Sequence, residues 1–124
     1  MKEVIAVVRM NMMNQNKKAL TEAGISSFFA HEVQGRGRGL VNSLVLEGAR
    51  KGYEEAVEML GEKGKLYPKR MLTVVVPDKE VPQLVKTLIK VNQTGNPGDG
   101  KIFVMPVGDA ARVRTGERGQ KAIV

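Results

Sequence analysis

Met71-Leu72-Thr73-Val74-Val75-Val76-Pro77-Asp78-Lys79-Glu80-Val81-Pro82-Gln83-Leu84-Val85-Lys86-Thr87-Leu88-Ile89 changes its apolar period at Pro77. Up to Val76 the apolar residues are nearly contiguous and mostly β-branched, the pattern of a buried strand. Beyond Pro77, Val81, Leu84, Val85, Leu88 and Ile89 follow i, i+3, i+4, i+7, i+8 spacing, which winds one apolar stripe along an amphipathic helix. Asp78 is placed as the N-cap of that helix. Pro82 is tolerable because it lies in the first turn, where its missing N–H has no helical partner. The glycine-rich stretch from Thr94 to Lys101 ends the helix, and Ile102-Phe103-Val104-Met105 makes the next strand.

Upstream, the same order occurs once more. Val4 to Val8 is a β-branched strand, and Met12 to Ala23 is a helix with Ala19, Leu20 and Ala23 on one side. Asn11 is expected to cap it and Gly24 to end it. Phe28 to Gln34 is a second strand leading into Gly35-Arg36-Gly37-Arg38-Gly39, whose alternating glycines release the backbone from regular structure. Ala111 to Arg114 is expected as a short fifth strand. Two strand–helix–strand halves joined by a long excursion predict an α+β, ferredoxin-like βαββαβ sandwich with helices on one face of the sheet. Val, Met and Phe residues on both sides of the strands predict that a partner subunit covers the other face, and hence a homo-oligomer.

The 124 residues suit one domain spanning 1–124. Hydrophobic residues make up 42% of the chain, but aromatics only 4% with no Trp, which leaves a core of Val, Leu, Ile and Met. A net charge of +7 and a pI near 9.9 favour anionic partners without choosing among nucleotides, nucleic acid and acidic protein patches. With three Phe and two Tyr there is no aromatic-rich strand of the kind that stacks RNA bases, so an RNA-binding ferredoxin-like module is the remoter reading. No Cys, no apolar leader at Met1-Lys2-Glu3-Val4 and only strand-length apolar runs predict a cytoplasmic chain with no integral membrane segment. The single histidine, His31, has no obvious partner. No Ser-His-Asp, paired-carboxylate or metal-ligand arrangement occurs, so neither a catalytic nor a metal site is expected.

Gly95-Asn96-Pro97-Gly98-Asp99-Gly100-Lys101 superficially fits a P-loop. Ile102 replaces the magnesium-binding hydroxyl, however, and here a helix precedes the loop and a strand follows, the reverse of the P-loop order. Gly98 and Gly100 nevertheless permit positive φ, so that backbone N–H groups can converge on an anion beside Lys101. The same residues also describe a helix C-cap and a connecting turn. Arg112 and Arg114, two apart, face the same way on an extended strand and so can grip a polyphosphate or form a solvated edge. Arg38, among glycines, is a third phosphate candidate or part of a basic loop.

Thr94-Gly95-Asn96-Pro97-Gly98-Asp99-Gly100-Lys101-Ile102-Phe103-Val104 and Arg112-Val113-Arg114-Thr115-Gly116-Glu117 resemble the C-terminal signature of the PII signal-transduction (nitrogen regulatory) family. The likeness extends to Glu32-Val33-Gln34-Gly35-Arg36-Gly37-Arg38 and to Leu66-Tyr67-Pro68-Lys69 on either side of the family's T-loop. It implies a trimer that binds ATP or ADP between subunits, with 2-oxoglutarate and magnesium as further ligands. The matching positions imply that Gly37, Arg38, Gly98, Asp99, Gly100, Lys101, Arg112 and Arg114 surround the phosphates, Val75 lies beside the adenine and Lys69 pairs with 2-oxoglutarate. The implied T-loop runs over about 37–67, the B-loop over about 94–101 and the C-terminal loop over about 108–124. Gly39 stands where many members have a magnesium-coordinating Gln, which places the usual 2-oxoglutarate geometry in question.

Leu46-Glu47-Gly48-Ala49-Arg50-Lys51 occupies the register of the uridylylated tyrosine motif, so that control is not expected; Tyr53 is a candidate for modification or contact. Tyr53, Ala56, Val57 and Leu60 have helical spacing beside Glu54, Glu55, Glu58 and Glu62. Tyr53, Val57 and Leu60 are therefore expected to contact a partner, either in a segment that orders on binding or in a helix packed on its own subunit. The long loop, Met10-Asn11-Met12-Met13 and Gly35-Arg36-Gly37-Arg38 resemble the nitrogenase-associated branch of archaea and anaerobic bacteria. That likeness implies a regulator, not an enzyme, which inhibits nitrogenase as a homotrimer or a mixed oligomer with a related chain. A conventional PII regulator of an ammonium transporter or glutamine synthetase is the near alternative.

Overall fold

Residues 1–36 and 66–124 are described by the computed structural model of the chain. Strand β1, Lys2–Arg9, alternates along its length: Val4, Ala6 and Val8 are buried and the residues between them are half-buried. A 3-10 turn, Met10–Met12, leads into helix α1, Met13–Glu22. Strands β2, Phe29–Gly35, and β3, Tyr67–Val76, follow; a 3-10 turn, Asp78–Glu80, starts helix α2, Val81–Asn92; β4 is Lys101–Pro106. The strands form one antiparallel sheet in the order β2-β3-β1-β4. This is the expected ferredoxin-like arrangement, in which each half's two strands are separated by a strand of the other half.

Cross-strand partners share a face, so the register sorts the sheet. Val4 lies opposite Val74, and Ala6 opposite Leu72; these residues, with Val8 and Val76, meet Leu20 of α1 and Leu84 and Leu88 of α2 to form the core. The opposite face carries the row Phe29, Thr73, Ile5 and Phe103, which crosses all four strands with neither helix over it. Phe29 is 68% exposed and Phe103 49%.

Gly24 ends α1 as expected. Its φ is +83°, and the N–H of Ile25 donates to the Leu20 carbonyl at 2.8 Å while that of Gly24 donates to Thr21 at 3.0 Å. These two bonds are the paired closure of a Schellman cap. Neither expected N-cap forms. Asn11 lies inside the first 3-10 turn, and α1 begins after Met12 without a side-chain cap. Asp78 opens the second 3-10 turn, and its carboxylate lies 2.9 Å from the Met1 nitrogen instead. In both places the tighter turn supplies the entry to the helix and moves the helix start beyond reach of the polar side chain.

The fifth strand is also corrected. Ala111 makes one isolated bridge to Arg118, and residues 113–115 between them form a turn. Gly116, at φ +75°, closes it by donating to the Arg112 carbonyl at 2.7 Å. Arg112 and Arg114 therefore do not alternate along an extended strand. Among the described residues no helix is long and apolar enough to cross a membrane.

Candidate functional site at the glycine turn

α2 ends at Asn92, where the Gln93 N–H donates to Ile89 at 2.8 Å, and the chain turns back before entering β4. Gly95, Gly98 and Gly100 take φ of +85°, +98° and +120°. At Gly100 the requirement is twofold, because a Cβ there would stand 2.0 Å from the Val7 carbonyl oxygen as well as in a left-handed conformation. The turn is thus seated backbone to backbone on β1. Lys101 lies opposite Val7, so Val8 and Arg9 extend past the end of β4 and the turn folds over them.

The Asp99 carboxylate is the turn's internal clamp. It accepts from the Thr94 hydroxyl at 2.5 Å, from the Thr94 and Gly95 N–H groups at 2.7 and 2.9 Å, and from Arg9 Nη1 at 2.5 Å. Arg9 Nη2 also donates to the Pro97 carbonyl at 3.0 Å. The Thr94 donors, with those of Arg9 and Gly95, hold the Asp99 carboxyl well below the ordinary carboxylate range. Its negative charge is thereby satisfied inside the turn rather than presented to an incoming anion. Lys69, the Cα partner of Arg9 on β3, donates to the Gly98 carbonyl at 3.3 Å. Burial, followed by the charge of Arg9, lowers its pKa.

Beneath the turn, between α2, β1 and the start of β4, lies a cleft of about 240 Å³ lined by Val7, Leu88, Ile89, Asn92, Gly100 and Lys101, among others. Complete pockets for small ligands are usually roughly 300–1,000 Å³. The cleft is thus smaller than such a pocket.

Of the residues expected at the site, the fold brings together Gly98, Asp99, Gly100, Lys101 and Lys69. Val75, expected beside the adenine rather than the phosphates, pairs with Glu3, four residues along β1 from Val7, or about 13 Å at strand rise. Arg112 is engaged by the C-terminal segment, donating to Glu117 at 2.8 Å and to the Lys121 and Val124 carbonyls at 3.1 and 2.7 Å. Arg114 is exposed, with no hydrogen-bond or ion-pair partner among the described residues. Gly37, Arg38, Gly39, Tyr53, Val57 and Leu60 lie outside the described residues.

Two features escape sequence reasoning. Arg9, one residue beyond the strand expected over Val4 to Val8, reaches the turn across 90 residues of sequence, a distance at which no local pattern gives a signal. The buried amide pair of Asn16 and Asn92 did leave one. Each continues an apolar stripe at a spacing of four, Asn16 with Leu20 and Asn92 with Leu84 and Leu88. The two amides exchange hydrogen bonds at 2.9 and 2.8 Å and donate their remaining N–H groups to the Met12 and Leu88 carbonyls at 2.8 Å. Among the described residues no buried side-chain polar atom lacks a partner.

A ferredoxin-like sandwich thus carries, at one end of its sheet, a glycine turn clamped by Asp99 and Arg9. The family model for nitrogen regulatory protein P-II matches residues 1–117, and the chain belongs to that family. It is accordingly a regulatory signal-transduction protein and not an enzyme. It is 44% identical over 128 residues to the nitrogen fixation nifHD region GlnB-like protein 2 of Methanobacterium ivanovii, covering 100% of both chains. It is 40% identical over 125 residues to the protein of the same description from Methanothermobacter marburgensis, covering 99% of this chain and 100% of the relative. Among solved structures, Arabidopsis thaliana PII bound to citrate matches with a TM-score of 0.73 and 33% identity, over 98% of this chain and 88% of that one. The relatives named for the nifHD region agree with the nitrogen-fixation branch that the sequence resembles.

Proposed function

We propose that the chain senses ATP or ADP at the glycine turn, in a cleft shared between the subunits of a trimer, and reports the bound state to a target through the T-loop, about 37–67. The observation that carries this reading is the turn itself. Gly100 is locked against Val7 and Asp99 is neutralised from within, leaving a rigid bend whose first strand residue is Lys101. A nucleotide's phosphates would be held by the turn's backbone and Lys101, with Gly37, Arg38, Arg112 and Arg114 contributing in the assembled protein and Val75 beside the base. The B-loop of about 94–101 and the C-terminal loop of about 108–124 form the walls. The partial cleft and the bare apolar row on the sheet both support a site completed by a second copy, as a homotrimer or with a related P-II chain.

Lys69, at the same end of the sheet as Arg9, is suited to a carboxylate such as 2-oxoglutarate, with magnesium bridging to the nucleotide; a relative crystallised with citrate supports a carboxylate ligand. The target is a nitrogenase component in the cytoplasm, inhibited by contact through Tyr53, Val57 and Leu60. The names of the nifHD-region relatives support this target. Ligand control requires that the nucleotide bind the two states of the T-loop with different affinity.

Isothermal titration with ATP tests the turn. Lys101→Glu is expected to abolish binding, and retained micromolar affinity in that variant would defeat the assignment. Nitrogenase assays with ATP, ADP and 2-oxoglutarate test the target, where equal inhibition in every ligand state sinks the signalling role.

A further inference from the structure

Arg112 is the most fully committed cation of the C-terminal segment. Its Nη1 donates to Glu117, and its Nη2 donates to the carbonyls of Lys121 and Val124. A guanidinium grips a phosphate in bidentate fashion through a pair of its N–H groups, and both terminal nitrogens are occupied here. The local backbone presents these acceptors to it. Arg112 N–H donates to the Glu117 carbonyl at 2.8 Å across the turn closed by Gly116, which returns the Glu117 side chain to the guanidinium. The bridge between Ala111 and Arg118 and the ion pair of Arg118 with Asp109 fasten the base of that turn. Gly119 N–H, donating to Ala110 at 2.8 Å, then directs the following residues back over Arg112.

We infer that residues 117–124 are a built-in competitor for the phosphate-binding fork of Arg112, so that nucleotide binding and latching of this segment oppose one another. The inference rests on the proposed role of Arg112 in holding nucleotide phosphate. The carboxylate of Glu117 stands in for a phosphate oxygen, and the two backbone carbonyls complete the set. A nucleotide that takes a bidentate grip through the terminal nitrogens of Arg112 must displace bonds to the segment and so weakens the latch, while a latched segment lowers nucleotide affinity by the same free energy. Occupancy of the cleft is thereby reported at residues 117–124 as well as at the T-loop.

A double-mutant cycle followed by ATP calorimetry on the full chain tests this. Glu117→Ala is expected to tighten ATP binding about threefold to tenfold, the scale of one half-exposed charge-assisted hydrogen bond. Glu117→Gln, which keeps an acceptor but loses the charge, should fall between it and the unmodified chain, and it decides the matter if the alanine variant does not fold. In the Arg112→Met background neither substitution should change affinity, an outcome that a merely structural role for Glu117 does not produce. Unchanged or weaker ATP binding on replacing Glu117 overturns the latch and leaves the nucleotide site standing. Failure of the unmodified chain to bind ATP overturns both.

Discussion

Gly100 shows how a single hydrogen in place of a side chain seats the turn. Its missing Cβ lets the turn lie on the Val7 carbonyl, whereas Gly116, also at positive φ (+75°), has open space around it. The two positions separate conformational strain from collision. Gly116→Ala is expected to lower unfolding free energy by about 1 kcal/mol, the usual cost of a left-handed non-glycine residue. Gly100→Ala adds a clash with backbone that cannot move away, and should cost about 3 kcal/mol or more; urea unfolding of the two variants gives the comparison. Asp99 acts at the same scale through charge. Because its native pKa is depressed, the stability it contributes is present above its unfolded value, about 4, and is lost as pH falls through that value toward the native one. The urea midpoint of Asp99→Asn should therefore lie below that of the unmodified chain at pH 7, and the two should converge on acidification below pH about 4. A gap that stays constant with pH would show that the charge is not what holds the turn.

Helices α1 and α2 are joined by a polar pair at a place where their stripes call for leucine. Asn16 is fully buried and Asn92 nearly so. Both amides are saturated, so the pair fixes which turn of α1 meets which turn of α2, immediately before the chain leaves α2 for the glycine turn. Removing one partner strands the other. Asn16→Leu alone is expected to cost about 1–3 kcal/mol, the desolvation penalty of an unsatisfied buried amide. Replacing both by Leu should cost less than the sum of the single changes, since an apolar pair leaves nothing unpaired; a urea double-mutant cycle measures the difference. The elements themselves were legible. Strands β1 to β4 and helices α1 and α2 were readable from period and turn residues, with bounds within a few positions, whereas the 3-10 turns were not and the expected fifth strand does not form. β3 begins four residues earlier than expected, at Tyr67, because pairing with β2 carries Tyr67, Pro68, Lys69 and Arg70 into the sheet. The missed caps and the lost fifth strand share one cause: short stretches were assigned by their preferred roles, and backbone turns of three to five residues took precedence.

At the scale of the whole molecule, the sheet face away from α1 and α2 is an unbalanced feature among the described residues. Phe29, Ile5 and Phe103 lie in one cross-strand row, with Phe29 and Phe103 substantially exposed, a burden that a solitary chain seldom carries. If the trimer forms on this face, Phe103→Glu should shift the mass measured by light scattering at micromolar concentration from the assembly toward a single chain. A monomeric mass for the unmodified protein would remove the shared cleft as well.

The glycine turn between α2 and β4, its Lys101 and the two repeated strand–helix–strand halves were determined by sequence alone, because apolar period and glycine placement are written within a few residues of each other. The turn's clamp by Arg9, the meeting of Asn16 with Asn92, the distance of Val75 from Val7 and the capture of Arg112 by residues 117–124 were decided only by tertiary structure. Each depends on which side chains strand register and chain reversal bring within about 3 Å, the reach of a hydrogen bond, and residues up to 90 positions apart leave no periodic trace of such a meeting.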